Sequence, residues 1–588
     1  MALWITSGEG HENGNVFLVN SGERLRHVPA PERWTEARRI SLVHNRIGVL
    51  PEEPAQVHNL QTLLLNGKYR LRDIDRGFFQ LMLRLLVLDL SNTGIRLLPP
   101  EIGYACSRNL TRLTQLRLEY TNLLKSIPRE AVSSLERLQS LNIFNSNYEF
   151  RAGWEGGGSD GVIDREGRQL CLKDLEDGMW NLTELGISIT WMTHEDMQAV
   201  LNSQRLSASI RLLCLLKVGI RSLDLSAFLE IMKGLRRLGI WSSTDLEEPV
   251  FNTNQLSELE ELTLGELPRA TISWKDGYTT AAIFKNLRGL SITECRHLEE
   301  IPGGFFQFMP SLRVLDLSFT KIRVLPREIG SLVELRYLNL SRTALKSLPM
   351  EVRNLTKLRK LRLEKTWSLK SIPREAVSSL ERLQSLNIYG SNYEFRAGWE
   401  GGGSDGVIDH EGRQLCLKDL EDGMWNLTEL GISITWMTHE DLEAVLNSQR
   451  LSASIRFLCV LEDITWIRQL SCIEELILHG CSRIEEVIVV EEVTVDNVDY
   501  QNDSFFPKLM LIWLKDLPNL RSICRHPLLF PALESIGVGD CPELKKLPFG
   551  LSTAKNIQRI FCKQEWWNGL EWEHEDVRSK FTPYFQPM

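Results

Sequence analysis

Residues 312–325 read Leu312-Arg-Val-Leu315-Asp-Leu317-Ser-Phe-Thr320-Lys-Ile322-Arg-Val-Leu325, and Pro326 follows. The phrase returns as Leu335, Leu338, Leu340, Thr343, Leu345, Leu348 and Pro349, and starts again at Leu358, Leu361, Leu363 and Thr366. Corresponding leucines 315, 338 and 361 stand 23 residues apart. Within each unit the Leu-x-Leu core alternates with period two, which predicts a short strand with its leucines inward and the side chains between them outward. The third residue after the second leucine is small and polar, or a thiol: Thr320, Thr343, Asn45, Cys295, Cys481 and Cys541. At that bend such a side chain satisfies backbone groups that have left the ladder. The Leu-Pro that follows cannot continue a ladder and sends the chain back along the outer side.

One such unit cannot bury its leucines alone, so stacked units must share a core under a parallel sheet. The expected fold is α/β: a leucine-rich-repeat solenoid, a curved horseshoe with the sheet on its concave face and irregular or short helical segments on its convex face. The template places strands near Ile40, Leu63, Leu88, Leu116, Leu141, Leu185, Leu238, Leu262, Leu290, Leu315, Leu338, Leu361, Leu386, Leu430, Leu476, Ile512 and Ile536. Residues 1–30 read as a linker remnant, 31–300 as a first array, 301–548 as a second and 549–588 as a cap. Two wide spacings carry loops, one rich in glycine (Gly156, Gly157, Gly158, Gly161) and one, 484–503, with seven acidic and no basic residues.

The second array repeats part of the first. Residues 113–211 align with 358–456 without a gap, and 89 of the 99 positions are identical. Phe78 to Gly103 also matches Phe305 to Gly330, but at an offset of 227 where the larger block has 245, so the first copy has lost most of one repeat around 104–108. None of the ten differences replaces an inward strand leucine. Four of them, Gln115/Lys360, Tyr120/Lys365, Phe144/Tyr389 and Asn145/Gly390, sit on or beside outward strand positions. Such a pattern is expected of a surface that meets a partner, and equally of drift under a purge of core changes, each of which costs about 2–5 kcal/mol.

Composition bounds the function. Of 588 residues, 43% are hydrophobic and 25% charged, as in folded globular chains. A net charge of -9 gives no global attraction to nucleic acid or anionic lipid. The eleven cysteines are odd in number and form no Cys-x-x-Cys pair, which argues for reduced thiols and against a zinc cage or disulfide framework. Residues 1–10 lack a signal-peptide pattern, and aliphatic clusters such as Leu212 to Leu216 are too short for a membrane span. A cytoplasmic location is expected. Asn109, Asn181, Asn339, Asn354 and Asn426 begin sequons that read as scaffold, because they belong to a recurring Asn-Leu-Thr/Ser phrase.

Candidate contact residues follow from the template. Trp241, Tyr337 and Trp513 fall at outward strand positions, where large rings are enriched in binding hot spots. Lys360, Arg362 and Lys365 make a small cationic patch, read either as a solvated face or as a dock for an acidic surface, and Tyr389 is set beside them by the duplication. Trp566, Trp567 and Trp572 are expected to close the last repeat. Chemistry finds no support. Gly157-Gly-Ser159-Asp-Gly161 and Gly402-Gly-Ser404-Asp-Gly406 match a nucleophile pattern without a preceding apolar strand. His194-Glu195 and His439-Glu440 lack the second histidine of a zinc helix.

Several phrases resemble one family. Trp34-Thr-Glu-Ala-Arg-Arg-Ile-Ser-Leu-Val-His-Asn-Arg-Ile47, Asn59-Leu-Gln-Thr-Leu-Leu-Leu65 and Gly304-Phe-Phe-Gln-Phe-Met-Pro-Ser-Leu-Arg-Val-Leu-Asp-Leu-Ser-Phe-Thr-Lys-Ile322 are similar to the repeats of plant coiled-coil nucleotide-binding leucine-rich-repeat disease-resistance proteins. So are Phe530-Pro-Ala-Leu-Glu-Ser-Ile-Gly-Val-Gly-Asp-Cys-Pro-Glu-Leu-Lys-Lys-Leu-Pro548, Trp566-Trp567 and Leu570-Glu-Trp-Glu573. In that family Met1-Ala-Leu-Trp-Ile5 would follow the nucleotide-binding region, and no Gly-x-x-x-x-Gly-Lys-Ser/Thr loop exists here to hold nucleotide phosphates. No cofactor or metal is therefore expected. The resemblance implies a repeat region that senses pathogen effectors or modified host proteins and restrains a nucleotide-binding domain. A freestanding repeat adaptor or decoy with no switch role is the alternative.

Overall fold

A computed structural model describes residues 17–587 apart from interior stretches, chiefly 22–24, 29–33, 53–56, 104–109, 151–162, 191–197, 218–221, 225–230, 251–257, 270–283, 396–407, 435–442, 461–466, 489–505, 525–528 and 550–554. The chain divides into two compact units, Met1–His297 and Leu298–Met588.

In the first unit the main sheet comprises Phe17–Val19 (β1), Arg39–Ser41 (β2), Thr62–Leu64 (β3), Val87–Asp89 (β4), Gln115–Arg117 (β5), Ser140–Asn142 (β6), Glu184–Thr190 (β7), Ile210–Leu216 (β8), Arg237–Trp241 (β9), Glu261–Gly265 (β10) and Gly289–Thr293 (β11). Each pairs parallel with the next. The second unit repeats the design with Val314–Asp316 (β12), Tyr337–Asn339 (β13), Lys360–Arg362 (β14), Ser385–Asn387 (β15), Glu429–Ile434 (β16), Ile455–Val460 (β17), Glu475–His479 (β18), Leu511–Lys515 (β19), Ser535–Gly539 (β20), Arg559–Cys562 (β21) and Phe585–Pro587 (β22). These too pair in parallel and in sequence order. The solenoid expected from the leucine spacing is the fold observed.

Register puts leucine on leucine. Leu315, Leu338, Leu361, Leu386 and Leu430 align across adjacent strands, and none has any solvent exposure. Side chains that share one shell of contacts leave little room to shrink, so truncating one costs about 2–5 kcal/mol. The return path is short and partly helical. Arg327–Ser331 and Met350–Asn354 are single 3-10 turns, and Arg374–Ser378 is one α-helical turn. Each starts directly after a proline (Pro326, Pro349, Pro373) whose fixed φ ends the extended run. Ile329, Val352, Ala376 and Val377 point back into the core.

Many of the described bends after strands have a feature that the sequence template lacked. The residue just before the Thr or Cys takes positive φ: Asn92, Tyr120, Glu294, Phe319, Arg342, Lys365 and Asp540 all lie between 53° and 58°, with Gly67, Gly390 and Gly480 in the same role. For a residue with a Cβ this conformation costs roughly 1–2 kcal/mol. The next side chain offsets it. Thr320, Thr343 and Thr366 each donate to the carbonyl three residues back at 2.8 Å, while Cys295 and Cys541 donate two residues back at 3.4 and 3.3 Å. Burial pushes the Cys541 thiol up to about 11, so it stays protonated and donating at neutral pH.

Lys68 breaks this pattern. It occupies the Thr/Asn position of its repeat, is 1% exposed, and donates its ammonium to the carbonyls of Leu42 and Leu65. Burial lowers its pKa to about 8, against a partial rise from Asp89. In the preceding repeat Asn45 fills the same place without a charge, donating to Leu42 at 3.0 Å. The buried charge is therefore a penalty, complete below pH 8 and relieved as pH rises from about 8 towards 10.5, where the folded lysine loses its proton before the unfolded one does. Lys68→Asn is expected to stabilise the fold at neutral pH by on the order of 2 kcal/mol, seen as a higher melting temperature. In circular-dichroism melts the advantage over wild type should shrink as pH climbs through that window, and a gap that stays constant with pH would contradict the assignment.

Candidate protein-binding surface

The strands turn every second side chain away from the leucine core, and the two outward tryptophans are seated in the same way. Trp241 on β9 aligns with Gly265 on β10, and a Cβ on Gly265 would lie 2.2 Å from the indole Cε3. Trp513 on β19 aligns with Gly537 on β20 with the same 2.2 Å clash. Each indole thus lies flat across the neighbouring strand, in space that any other residue would fill. Beyond Gly537 comes Phe561 on β21, whose ring centroid is 6.2 Å from that of Trp513 at a tilt of 46°. With Ile477 aligned on β18, the row Ile477, Trp513, Gly537, Phe561 forms a half-buried apolar platform. Sequence reasoning found Trp513 but missed Gly537 and Phe561; the signal was the alignment of the three Leu-x-Leu-like phrases.

Tyr337 lies half-buried on β13 between Val314 and Lys360, and bonds to Arg362. The cationic trio is less uniform than its spacing suggested. Arg362 donates from Nε to Glu364 at 2.7 Å, and Glu364 also accepts from Asn387 at 2.9 Å. Burial works against the Arg362 charge, but Glu364 and Tyr337 outweigh it and hold the guanidinium above its ordinary pKa. Lys360 is exposed and only loosely paired with Glu429, at 3.9 Å.

Two placements correct the expectation. Lys365 is not a strand residue: it occupies the positive-φ bend after β14, with its ammonium 5.7 Å from the centre of the Tyr389 ring. Tyr389 is 5% exposed, so its ring is the floor under Lys365 and not itself a contact surface. Arg342, at the equivalent bend, covers the Phe319 ring at 4.7 Å, a pair not foreseen from sequence. Glu475 faces the same region. Burial raises its pKa, Glu364 adds to the rise, and Lys365 opposes it.

The first unit holds a counterpart of different chemistry. Glu119, equivalent to Glu364, accepts from Asn142 at 2.5 Å and lies 3.9 Å from Arg237, which also meets Glu261 at 3.0 Å. Burial raises the Glu119 pKa, with Arg237 and Arg117 acting against it. Where the second copy has Lys365 over Tyr389, this one has Tyr120 edge-on to Phe144 at 6.3 Å. One scaffold thus carries a neutral aromatic pair in one unit and a cation in the other.

At the far end Trp567 is buried, stacks on Phe585 at 5.0 Å and meets Trp572 edge-on at 5.3 Å, and Trp566 donates to the Leu544 carbonyl at 2.9 Å. These rings cover the core behind β21. The Gly-x-Ser-x-Gly segments at Ser159 and Ser404, and the pairs His194-Glu195 and His439-Glu440, lie outside the described residues. Among the described residues no group of three or more His, Cys, Asp or Glu could hold a metal ion, and no helix is long and apolar enough to cross a membrane.

Comparison with known proteins bears on this surface. A family model described as "Leucine-rich repeat region" matches residues 269–398, and one described as "Plant disease resistance protein RPS2-like, leucine-rich repeats" matches 454–560. A probable disease resistance protein of Arabidopsis thaliana is 31% identical over 331 residues, covering 49% of this chain and 35% of that protein. A second probable disease resistance protein of the same plant is 41% identical over 119 residues, 20% of this chain and 13% of its own length. A third Arabidopsis thaliana disease resistance protein aligns over all of this chain at 23% identity, covering 51% of its own length. The chain thus spans about half or less of these relatives.

The seating of the rings makes a stability test. Gly537→Ala should displace Trp513 and cost about 1–3 kcal/mol in denaturant unfolding, as overpacking does. Combined with Trp513→Ala, the glycine change should cost far less than it does alone. Equal costs in both backgrounds would mean that the ring does not depend on the missing side chain.

Proposed function

Starting from leucine-rich repeats of the plant disease-resistance type, we propose that this chain is the protein-binding module of an intracellular immune receptor, acting in the cytoplasm. It recognises pathogen effectors or modified host proteins through the outward face of its sheets and restrains a nucleotide-binding switch domain in cis. The observation that carries this reading is the platform of Trp513 and Phe561 across Gly537. Both rings are held by a rigid strand array, so little side-chain freedom is lost when a partner covers them. Aromatic anchors on a pre-formed surface are what a binding hot spot needs. Trp513 and Gly537 also lie inside the segment that matches the disease-resistance repeats. Trp241 and Tyr337 supply further anchors of the same kind, and Lys360 adds an exposed charge.

The reading is tested by co-precipitating the chain with a panel of pathogen effectors, and with the nucleotide-binding region of a related disease-resistance protein. At least one of these should bind. Trp513→Ala and Phe561→Ala should each weaken that binding tenfold or more while leaving the melting temperature within a few degrees of wild type. Binding unchanged in both folded variants, or no binding to any member of either class, would refute the proposal.

A further inference from the structure

The second unit carries a ladder of arginines that, among the described residues, form no ion pair. Arg313, Arg336 and Arg359 each stand one residue before β12, β13 and β14, and the parallel register of those strands places them side by side. Backbone bonds tie them directly: the amide of Arg336 donates to the carbonyl of Arg313 at 2.8 Å, and that of Arg359 to Arg336 at 2.8 Å. All three are exposed, and among the described residues no ion pair engages their guanidinium groups. Glu334 is near, but its carboxylate is taken up by a hydrogen bond from Lys357, which with Arg313 and Arg336 lowers its pKa. Lys360 extends the positive edge by one column.

The duplication shows that the scaffold does not require this. In the first unit the equivalents of Arg313 and Arg359 are Leu86 and Thr114, the repeat that would hold an equivalent of Arg336 is missing, and Lys360 corresponds to Gln115. The same fold is built there without the charges. In a chain of net charge -9, three adjacent cations in the second unit, repelling one another, are a local feature with a local use.

We propose that this ladder docks an acidic amphipathic helix of a partner protein, laid across β12, β13 and β14. Adjacent strands are about 4.8 Å apart, so the three arginines span about 9.6 Å. Carboxylates at i, i+4 and i+7 of a helix advance about 5.4 Å per turn and stay in step over that length. Alternate carboxylates of an extended segment advance about 6.7 Å and run ahead of the ladder by the third arginine. Beside the charges, Val314 is 43% exposed and Tyr337 is half-buried, an apolar strip for the helix's other flank. The inference rests on the protein-binding reading and names the chemistry of one partner surface.

The probe is a fluorescent alanine-leucine peptide with glutamates at i, i+4 and i+7, set against the same composition interrupted by proline and against a single-stranded oligothymidine. The full chain should bind the helical peptide at least tenfold more tightly than either control, and more weakly as salt rises. The triple variant Arg313→Ser, Arg336→Ser, Arg359→Thr should lose at least tenfold while melting as wild type does. Binding unchanged in that variant, no binding of the helical peptide, or either control binding as tightly would overturn the proposal; an oligothymidine that wins would assign the ladder to nucleic acid. Defective partner capture by the Trp513 and Phe561 variants would still stand in that event, which separates this failure from that of the wider reading.

Discussion

Many of the described repeats are held by a pairing of opposites at the bend. A residue in the left-handed region turns the chain out of the strand, and the hydroxyl, amide or thiol beside it returns a hydrogen bond to a carbonyl that the turn has released. Thr320, Thr343 and Thr366 do this with one geometry, and Cys295 and Cys541 do it with a slightly shorter reach. Without that bond such a bend would leave a buried carbonyl unpaired beneath its strand, a cost of about 1–3 kcal/mol each. Leucine burial stacks the repeats, but the bend sets where each strand stops and hence which side chains face outward.

That constraint explains why the outward face can vary so freely. In 99 aligned positions the two copies differ ten times and never at an inward strand leucine. The variable sites change charge and ring chemistry while the inward leucines and the backbone of the bends stay the same. Tyr120 against Phe144 in one unit becomes Lys365 over Tyr389 in the other, with both bend residues at nearly the same φ of 56° and 53°. The scaffold separates stability from recognition by the simple alternation of a strand.

The Leu-x-Leu phrase was enough to read the architecture and most strands. Strand β8 escaped it, because Leu212 to Leu216 is a continuous apolar run without alternation that closely follows a helical turn, Gln204–Ser209, and a bulge at Arg211 shifts its register. Its duplicate β17 escaped for the same reason. The edge strands β1 and β22 lack the phrase altogether. Trp241, Tyr337 and Trp513 were legible as outward residues, since period two fixes the side of the sheet. What a linear reading could not supply was the neighbour: Gly265 and Gly537 have meaning only once they lie under an indole, and Glu364 neutralises Arg362 by proximity in the bend. Lys365 and Tyr389 were misplaced because the bend interrupts the alternation that the reading extrapolated.

The duplicated block has a further consequence for how the chain reaches its native state. Strands β5, β6, β7 and β8 are nearly the same sequences as β14, β15, β16 and β17. During synthesis the earlier copy emerges with no rival, whereas on refolding from denaturant both compete for the same flanking repeats, and a strand from one block satisfies the hydrogen bonds and leucine shell intended for the other. Such exchanges, within a molecule or between two, are weakly selected against by the core, since the inward strand leucines of the duplicated block are unchanged. Only the junctions distinguish the right order, so slow, concentration-dependent refolding is a cost built into carrying two copies of one block.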